Sequence, residues 1–369
     1  MSRELFRSMD LPVLQNRMFA SALEAKASPM GDVVLVQDER TGLIFNAAFD
    51  ASLLRYDVEY QNEQACSPAF QRHLEDVAAI ITRHCKGQRL IEVGCGKGYF
   101  LELLRSLGFD ITGIDPAYEG GNPDVITARF ERGLGLTADV IVLRHVLEHI
   151  SDPMAFLSDV CEANGGQGLI YIEVPCFDWI LQRGAWYDIY YEHVNYFRLD
   201  DFDRMFGQVH ERGRLFGEQY LYLVADLASL RRPRATSDDR VAMPADFLAG
   251  IDRTIAIIEN DNGKANALWG AASKGVIFSV YLQRAGLGLD VAIDINPAKQ
   301  GRFLAGSGLR VCAPRDASGR LRAGDNIFVM NSNYLAEITD TSDWRYSYFT
   351  LDHGAEAAAC GGAKGRGIV

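Results

Sequence analysis

The sequence predicts an α/β protein: two Rossmann-like units behind a small N-terminal α+β lobe. Three observations predict it. Between residues 66 and 230, apolar strand segments alternate with helix-period segments, the mark of a parallel sheet covered on both faces. A second strand–turn–helix–strand pattern opens at Ala267. The first 65 residues follow neither pattern and carry a hairpin signal, two short apolar runs around a polar turn.

The bulk composition narrows the function. The chain has 369 residues, 48% of them hydrophobic and 23% charged, as in an ordinary globular protein of two or three domains. Its formal net charge of −12 argues against a nucleic-acid partner, whose phosphates require a basic surface. No apolar run is long enough to span a membrane, and no apolar leader segment opens the chain. The cysteines at 66, 85, 95, 161, 176, 312 and 360 are odd in number and form no CxxC pair. That pattern fits a reducing, cytoplasmic setting and predicts neither a disulfide framework nor a thiolate metal site.

The elements follow in order. In the lobe of residues 1–65, Arg17 to Lys26 reads as helical, and Asp32 to Val36 and Leu43 to Phe45 as the hairpin strands. Tyr56 and Tyr60 follow in a polar segment. Two readings stand for them: packing tyrosines of a solvated helix start, or tyrosines that line a site. The unit of residues 66–230 begins with a helix from Pro68 to His84. Its strands lie at Leu90–Val93, Phe109–Asp115, Val125–Ile126, Ala138–Leu143 and 168–174. A helix from Leu199 to Phe206 and two final strands, 214–216 and 219–225, close it. The charged stretch 231–240 reads as a linker. Residues 241–353 form the second Rossmann-like unit, with a helix from Pro244 to Asn260 and strands near 267, 291 and 326. The Gly/Ala-rich end, 354–369, reads as a frayed tail.

The chain is organised around Leu90-Ile91-Glu92-Val93-Gly94-Cys95-Gly96-Lys97-Gly98. A buried strand runs into a turn whose glycines, at 94, 96 and 98, allow a ligand to approach the backbone closely. The dinucleotide fingerprint GxGxxG has a different spacing. Glu92, two residues before the first glycine, would repel a pyrophosphate but suits the ammonium and sulfonium of S-adenosyl-L-methionine. Asp115, at the end of the next strand, suits the ribose hydroxyls. Phe130 falls where an adenine ring would stack. These features predict a class I methyltransferase domain that uses S-adenosyl-L-methionine.

Two histidine segments end neighbouring strands on the same sheet edge: His145-Val146-Leu147-Glu148-His149 and Tyr190-Tyr191-Glu192-His193. Methyl transfer is an in-line displacement, so positioning dominates. A carbon nucleophile beside a ketone must also lose a proton, and histidine titrates in the range that suits a base. Lys274, at a glycine-rich helix start, is a phosphate candidate or a solvated helix residue.

Over nearly its whole length the sequence resembles the three-domain C-methyltransferases that act on nucleotide-linked keto-deoxysugars. The resemblance rests on Leu11 to Asn16, Gly42 to Asn46, Glu92 to Gly98, His145 to His149, Tyr190 to Phe197, Gly270 to Gly275 and Asp294 to Gly301. It implies His193 as general base, Glu192 as its orienter, Tyr190 and His149 near the keto group, and Tyr60 or Tyr56 reaching in from the first lobe. His145 falls on the cofactor side. The C-terminal unit, with Lys274, would hold the nucleotide. The family opens with a zinc module of two CxxC pairs. Here the chain starts after the place of the first pair, and Asp38 and Thr41 stand in place of the second, so the resemblance implies a metal-free lobe. An O- or N-methyltransferase of the same fold is the alternative reading. The acceptor is a small molecule in either case, and the oligomeric state stays open.

Overall fold

The computed structural model describes residues 2–54, 60–61, 63–261 and 263–352. Tyr56 and the segment 354–369 lie outside the described residues.

The N-terminal lobe is built on β1 (Ser2–Pro12), a short helix α1 (Ala22–Lys26), β2 (Met30–Asp38) and β3 (Ile44–Asn46). β1 was not foreseen. Its charges at Arg3, Glu4, Arg7 and Asp10 hide the alternation, and register breaks after Glu4 and Ser8 shift it between faces. The helix expected from Arg17 starts only at Ala22. Phe19 spends its backbone on a two-way bridge to Phe303 (3.2 and 3.0 Å), and Ser21 then caps the helix through Glu24 N.

The middle unit runs α2 (Pro68–Cys85), β4 (Arg89–Val93), α3 (Tyr99–Ser106), β5 (Asp110–Ile114), β6 (Val125–Ile126), β7 (Val140–Arg144), α4 (Pro153–Ala163), β8 (Leu169–Pro175) and α5 (Phe177–Arg183). It continues with β9 (Asn195–Tyr196), α6 (Leu199–Met205), β10 (Val209–Leu215) and β11 (Tyr220–Asp226). Seven strands form one sheet in the order β10-β11-β8-β7-β4-β5-β6. β4 to β8 are parallel and β11 runs against β8, the class I methyltransferase arrangement. The central strands are buried on both faces, so they read as continuous apolar runs. β9 leaves this sheet. It pairs with β3, Ile44 opposite Tyr196 and Phe45 opposite Asn195, and becomes the fourth strand of the N-terminal sheet.

The C-terminal unit contains α7 (Ala249–Asn260), β12 (Asn266–Trp269), α8 (Ser273–Arg284), β13 (Val291–Ile293), β14 (Val311–Cys312), α9 (Pro314–Ala317), β15 (Asn326–Val329), α10 (Leu335–Thr341) and β16 (Ser347–Thr350). Its five strands are all parallel, in the order β14-β13-β12-β15-β16. The two outer strands escaped the sequence reading because each is short. α7 begins later than expected, since Pro244 to Phe247 form a turn instead.

The three units are tied together. Glu337 accepts from Ser67 Oγ (2.6 Å) and Ala69 N (3.1 Å), so the C-terminal unit caps the start of α2. Asn331 donates to Gln219 at 2.8 Å. The stretch read as a linker lies against the N-terminal lobe: Ala235 N donates to Arg40 O, and Gln37 Nε2 donates to Asp239 O, each at 2.8 Å.

Candidate active site

Residues of all three units line a cavity of about 340 Å³, from Asn16 and Tyr60 through Glu92 and His193 to Lys274. The carboxyl edge of the central sheet forms one wall, where an open α/β sheet binds ligands.

The cofactor side is built by the turn between β4 and α3. Gly94 donates to Ile114 O at 2.7 Å and has φ +76°; a Cβ there would lie 2.4 Å from Val146 Cγ2. Only glycine meets both demands. Gly96 N and Ala117 N hold the two oxygens of Asp115, at 2.9 and 2.8 Å. Gly98 is the N-cap of α3. Glu92 is 2% exposed, and among the described residues its Oε2 accepts no hydrogen bond. Burial pushes its carboxyl up to about 7, although Arg144 pulls the other way. A buried carboxylate oxygen without a donor fits the ammonium of the cofactor's methionine part. The carboxylate of Asp115 keeps lone pairs beyond its backbone contacts, which suits ribose hydroxyls. Phe130 is half-buried and packs edge-on against Phe156, with centroids 6.3 Å apart. Phe130, Gly98 and Asp115 lie outside the cavity lining, whereas Glu92, Gly94 and Gly96 belong to it.

Beneath this turn lies a charge network that the sequence reading missed. Glu173, fully buried on β8, contacts His73 Nε2 (2.7 Å), Arg144 Nε (3.1 Å), His145 Nε2 (3.1 Å) and Tyr171 Oη (3.2 Å). Burial alone would raise its pKa, but Arg144, His145 and His73 hold it well below the usual carboxylate range. His145 also lies 3.4 Å from Glu148. Burial disfavours its charge, yet the two carboxylates prevail and its pKa stands at about 9. An acid inside the apolar run Leu169–Pro175 was the available signal, because a carboxylate on a doubly covered strand requires cationic partners.

The turn before β9, where the sequence places the acceptor, forms another part of the cavity wall. Tyr190 Oη lies 2.8 Å from His193 Nε2. Burial drives the Tyr190 phenol well above its usual range, so it keeps its proton within this hydrogen bond. Burial, helped by His149, His145 and Lys274, drives His193 well below 6.5. His149 donates Nδ1–H to Glu192 O at 2.8 Å, and its ring centroid lies 5.0 Å from that of His193. The Glu192 carboxylate accepts from Gln15 N at 2.8 Å and ties the turn to the N-terminal lobe. It does not line the cavity. The partner of His193 Nε2 is thus Tyr190, and the contact resolved for the Glu192 carboxylate is with the lobe. Tyr60 lines the cavity and bridges to Arg17. Lys274 lines it too, but its ammonium is matched: Asp188 is 3.0 Å away, and the Trp179 ring centroid 4.9 Å. Asp188 was also missed. It lies in an aromatic stretch, and its partner is far along the chain.

Residues 59–209 match the family described as a methyltransferase domain. The chain is 27% identical over 299 residues to the C-methyltransferase NovU of Streptomyces niveus, covering 69% of each. It is 35% identical over 98 residues to a ubiquinone biosynthesis O-methyltransferase of Methylobacterium nodulans, covering 22% of this chain and 39% of that protein. A probable S-adenosylmethionine-dependent methyltransferase of Mycolicibacterium smegmatis is 28% identical over 118 residues, 29% of this chain and 45% of that one. The sheet order, the glycine turn with its buried acid and these likenesses agree: the protein is an S-adenosylmethionine-dependent methyltransferase of the class I fold.

Proposed function

We propose that the protein methylates a carbon next to the ketone of a nucleotide-linked keto sugar. The observation that carries this reading is the Tyr190–His193 hydrogen bond inside the cavity that Glu92 and Gly94 also line. A neutral imidazole beside a protonated phenol is equipped to move a proton between carbon and oxygen. The likeness to NovU extends over 69% of the chain, well beyond the methyltransferase domain.

In this reading the acceptor displaces the Tyr190 hydroxyl from His193. Tyr190 turns its O–H to the keto oxygen, and His193 takes the proton from the neighbouring carbon. The electron pair of the broken C–H bond then forms the new C–C bond. S-adenosylmethionine supplies the methyl as an electrophilic carbon on sulfur. His149, with Nδ1 fixed by Glu192 O, presents Nε2 to the cavity as a second polar contact. Tyr60 closes the acceptor side. The nucleotide lies against the C-terminal unit, where Lys274 and Lys299 line the same cavity. Residues 1–65, 66–230 and 241–353 act as lobe, methyltransferase domain and nucleotide-holding domain.

The test is isotopic. Keto sugars on a nucleotide, deuterated beside the carbonyl, should lose one deuteron for each methyl gained. His193→Ala should lower turnover by about 10²–10⁴-fold while S-adenosylhomocysteine binds as before. Methylation on oxygen or nitrogen with the deuteron retained would overturn the reading. It would favour the second one, for which the match to ubiquinone O-methyltransferases speaks over 22–24% of the chain.

A further inference from the structure

Glu148 is 1% exposed, and among the described residues no donor gives either of its oxygens a hydrogen bond. Its one ion-pair contact is His145 Nδ1 at 3.4 Å. His145 balances that charge at Oε1, and Oε2 is left without a hydrogen-bond donor among the described residues. It lines the cavity, and so do His149 and His193. The three residues can each offer one ligand atom, all within 4.8 Å of one another.

The imidazoles are prepared as metal ligands are. His149 gives Nδ1–H to the Glu192 carbonyl, which leaves the Nε2 lone pair free to bind. In the tautomer whose Nε2–H donates to Tyr190 Oη, the His193 Nδ1 lone pair is likewise free to bind. Two imidazoles and a carboxylate, with one side open to a cavity, are the donor set of an open zinc-type site, which needs no thiolate. A second cluster, His73, His145 and Glu173, has the same ligand types. There the Arg144 guanidinium already occupies the carboxylate and repels a cation.

We propose that Glu148, His149 and His193 bind one divalent transition-metal ion of the zinc class. This occupancy competes with methyl transfer. A ring lone pair on His193 goes either to the metal or to a proton, so the loaded protein lacks its base. That consequence rests on the base role proposed for His193; the binding itself does not, since it needs no acceptor.

The experiment titrates the full-length protein with Co²⁺ and soaks its crystals with Zn²⁺. One Co²⁺ per chain is expected, with the visible bands of a four-coordinate site, displaced by Zn²⁺. Anomalous density should lie between the three side chains. Glu148→Gln should weaken Co²⁺ binding at least about tenfold. The double change His84→Ala with His210→Ala, which removes a surface histidine pair beside Glu211, should leave binding intact. Wild-type protein without Co²⁺ bands, bands lost in the surface double variant, or density elsewhere would each overturn the proposal. If Glu148→Gln fails to fold, the wild-type anomalous map decides alone. Failure of the deuterium experiment leaves these readouts untouched, and the reverse holds as well.

Discussion

After β4, Gly94 donates to Ile114 O at 2.7 Å; after β12, Gly270 donates to Ile293 O at 2.9 Å. In the first turn Gly96 N binds the acid that ends the next strand, Asp115; in the second Ala271 N binds Asp294, both at 2.9 Å. Both turns line the one cavity. The two Rossmann-like units therefore share a scaffold down to single hydrogen bonds, and they differ in how the acids are completed. Lys299, of the same unit, stands 3.5 Å from Asp294, while Lys274 reaches across to Asp188 of the 66–230 unit, 3.0 Å away. In the first unit, among the described residues, no lysine fills that role and Glu92 Oε2 has no hydrogen-bond partner. The first turn leaves a buried acid open to a cationic group, whereas the second has its acid paired by Lys299 and its Lys274 spent on Asp188. Fold alone does not make a glycine turn a binding site; the unspent charge does.

Four changes would break or sharpen this contrast. The largest effect is expected for Lys274→Met, which strands Asp188 in a buried, aromatic setting. Such an uncompensated charge costs about 3–5 kcal/mol, to be read from denaturant unfolding, with S-adenosylhomocysteine affinity unchanged at saturation of folded protein. A parallel loss of affinity would mean that the second turn also serves the cofactor. Next, Gly94→Ala forces a Cβ into Val146 and should weaken S-adenosylhomocysteine binding by about 100-fold, or ~2.7 kcal/mol, by calorimetric titration. Normal binding would remove the steric argument for that glycine.

Glu92→Gln should weaken S-adenosylmethionine about tenfold at pH 8. Its pH dependence is more telling. With the free-enzyme pKa at about 7, the acid is protonated below that value and must release its proton to bind a cation. Wild-type affinity should thus fall as pH drops below about 7, by up to tenfold per unit, and be level above it. The Gln variant should show no such slope; a slope that persists would assign it to another group. The smallest effect is expected for Gln300→Ala, about 1 kcal/mol of stability from the lost bond to Asp294 O (3.0 Å) beside the second turn, with cofactor affinity unaltered. Thermal unfolding and the same titration check both halves.

The cofactor half of this molecule was legible because its signals are local. Glu92, Gly94, Gly96 and Gly98 fall within seven residues, and strand periodicity around them is unambiguous. The acceptor half was legible only as a set of residue types. Tyr190 and His193 could be named from one short run, but which of Tyr190 and Glu192 holds the imidazole depends on how the turn is folded. The charge network was invisible for a different reason: His73, Arg144 and Glu173 come from three elements, and His73 on its helix reads as one polar residue among apolar ones. β1 escaped because its bulges move side chains from face to face, which destroys the period that identifies a strand.

The pairing of Ile44 and Phe45 with Tyr196 and Asn195 also sets an order of assembly. The lobe's three strands are synthesised first, and β3 then waits as an open edge while most of the methyltransferase unit is made. Closing so long a loop carries an entropic cost that grows with the logarithm of its length, and contacts of such separation form slowly. The turn that carries His193 therefore takes shape only once this long-range pairing has formed. Until it does, a bare strand edge is available to other chains. A nascent or truncated molecule that ends before residue 195 would be not merely inactive but prone to aggregate through β3.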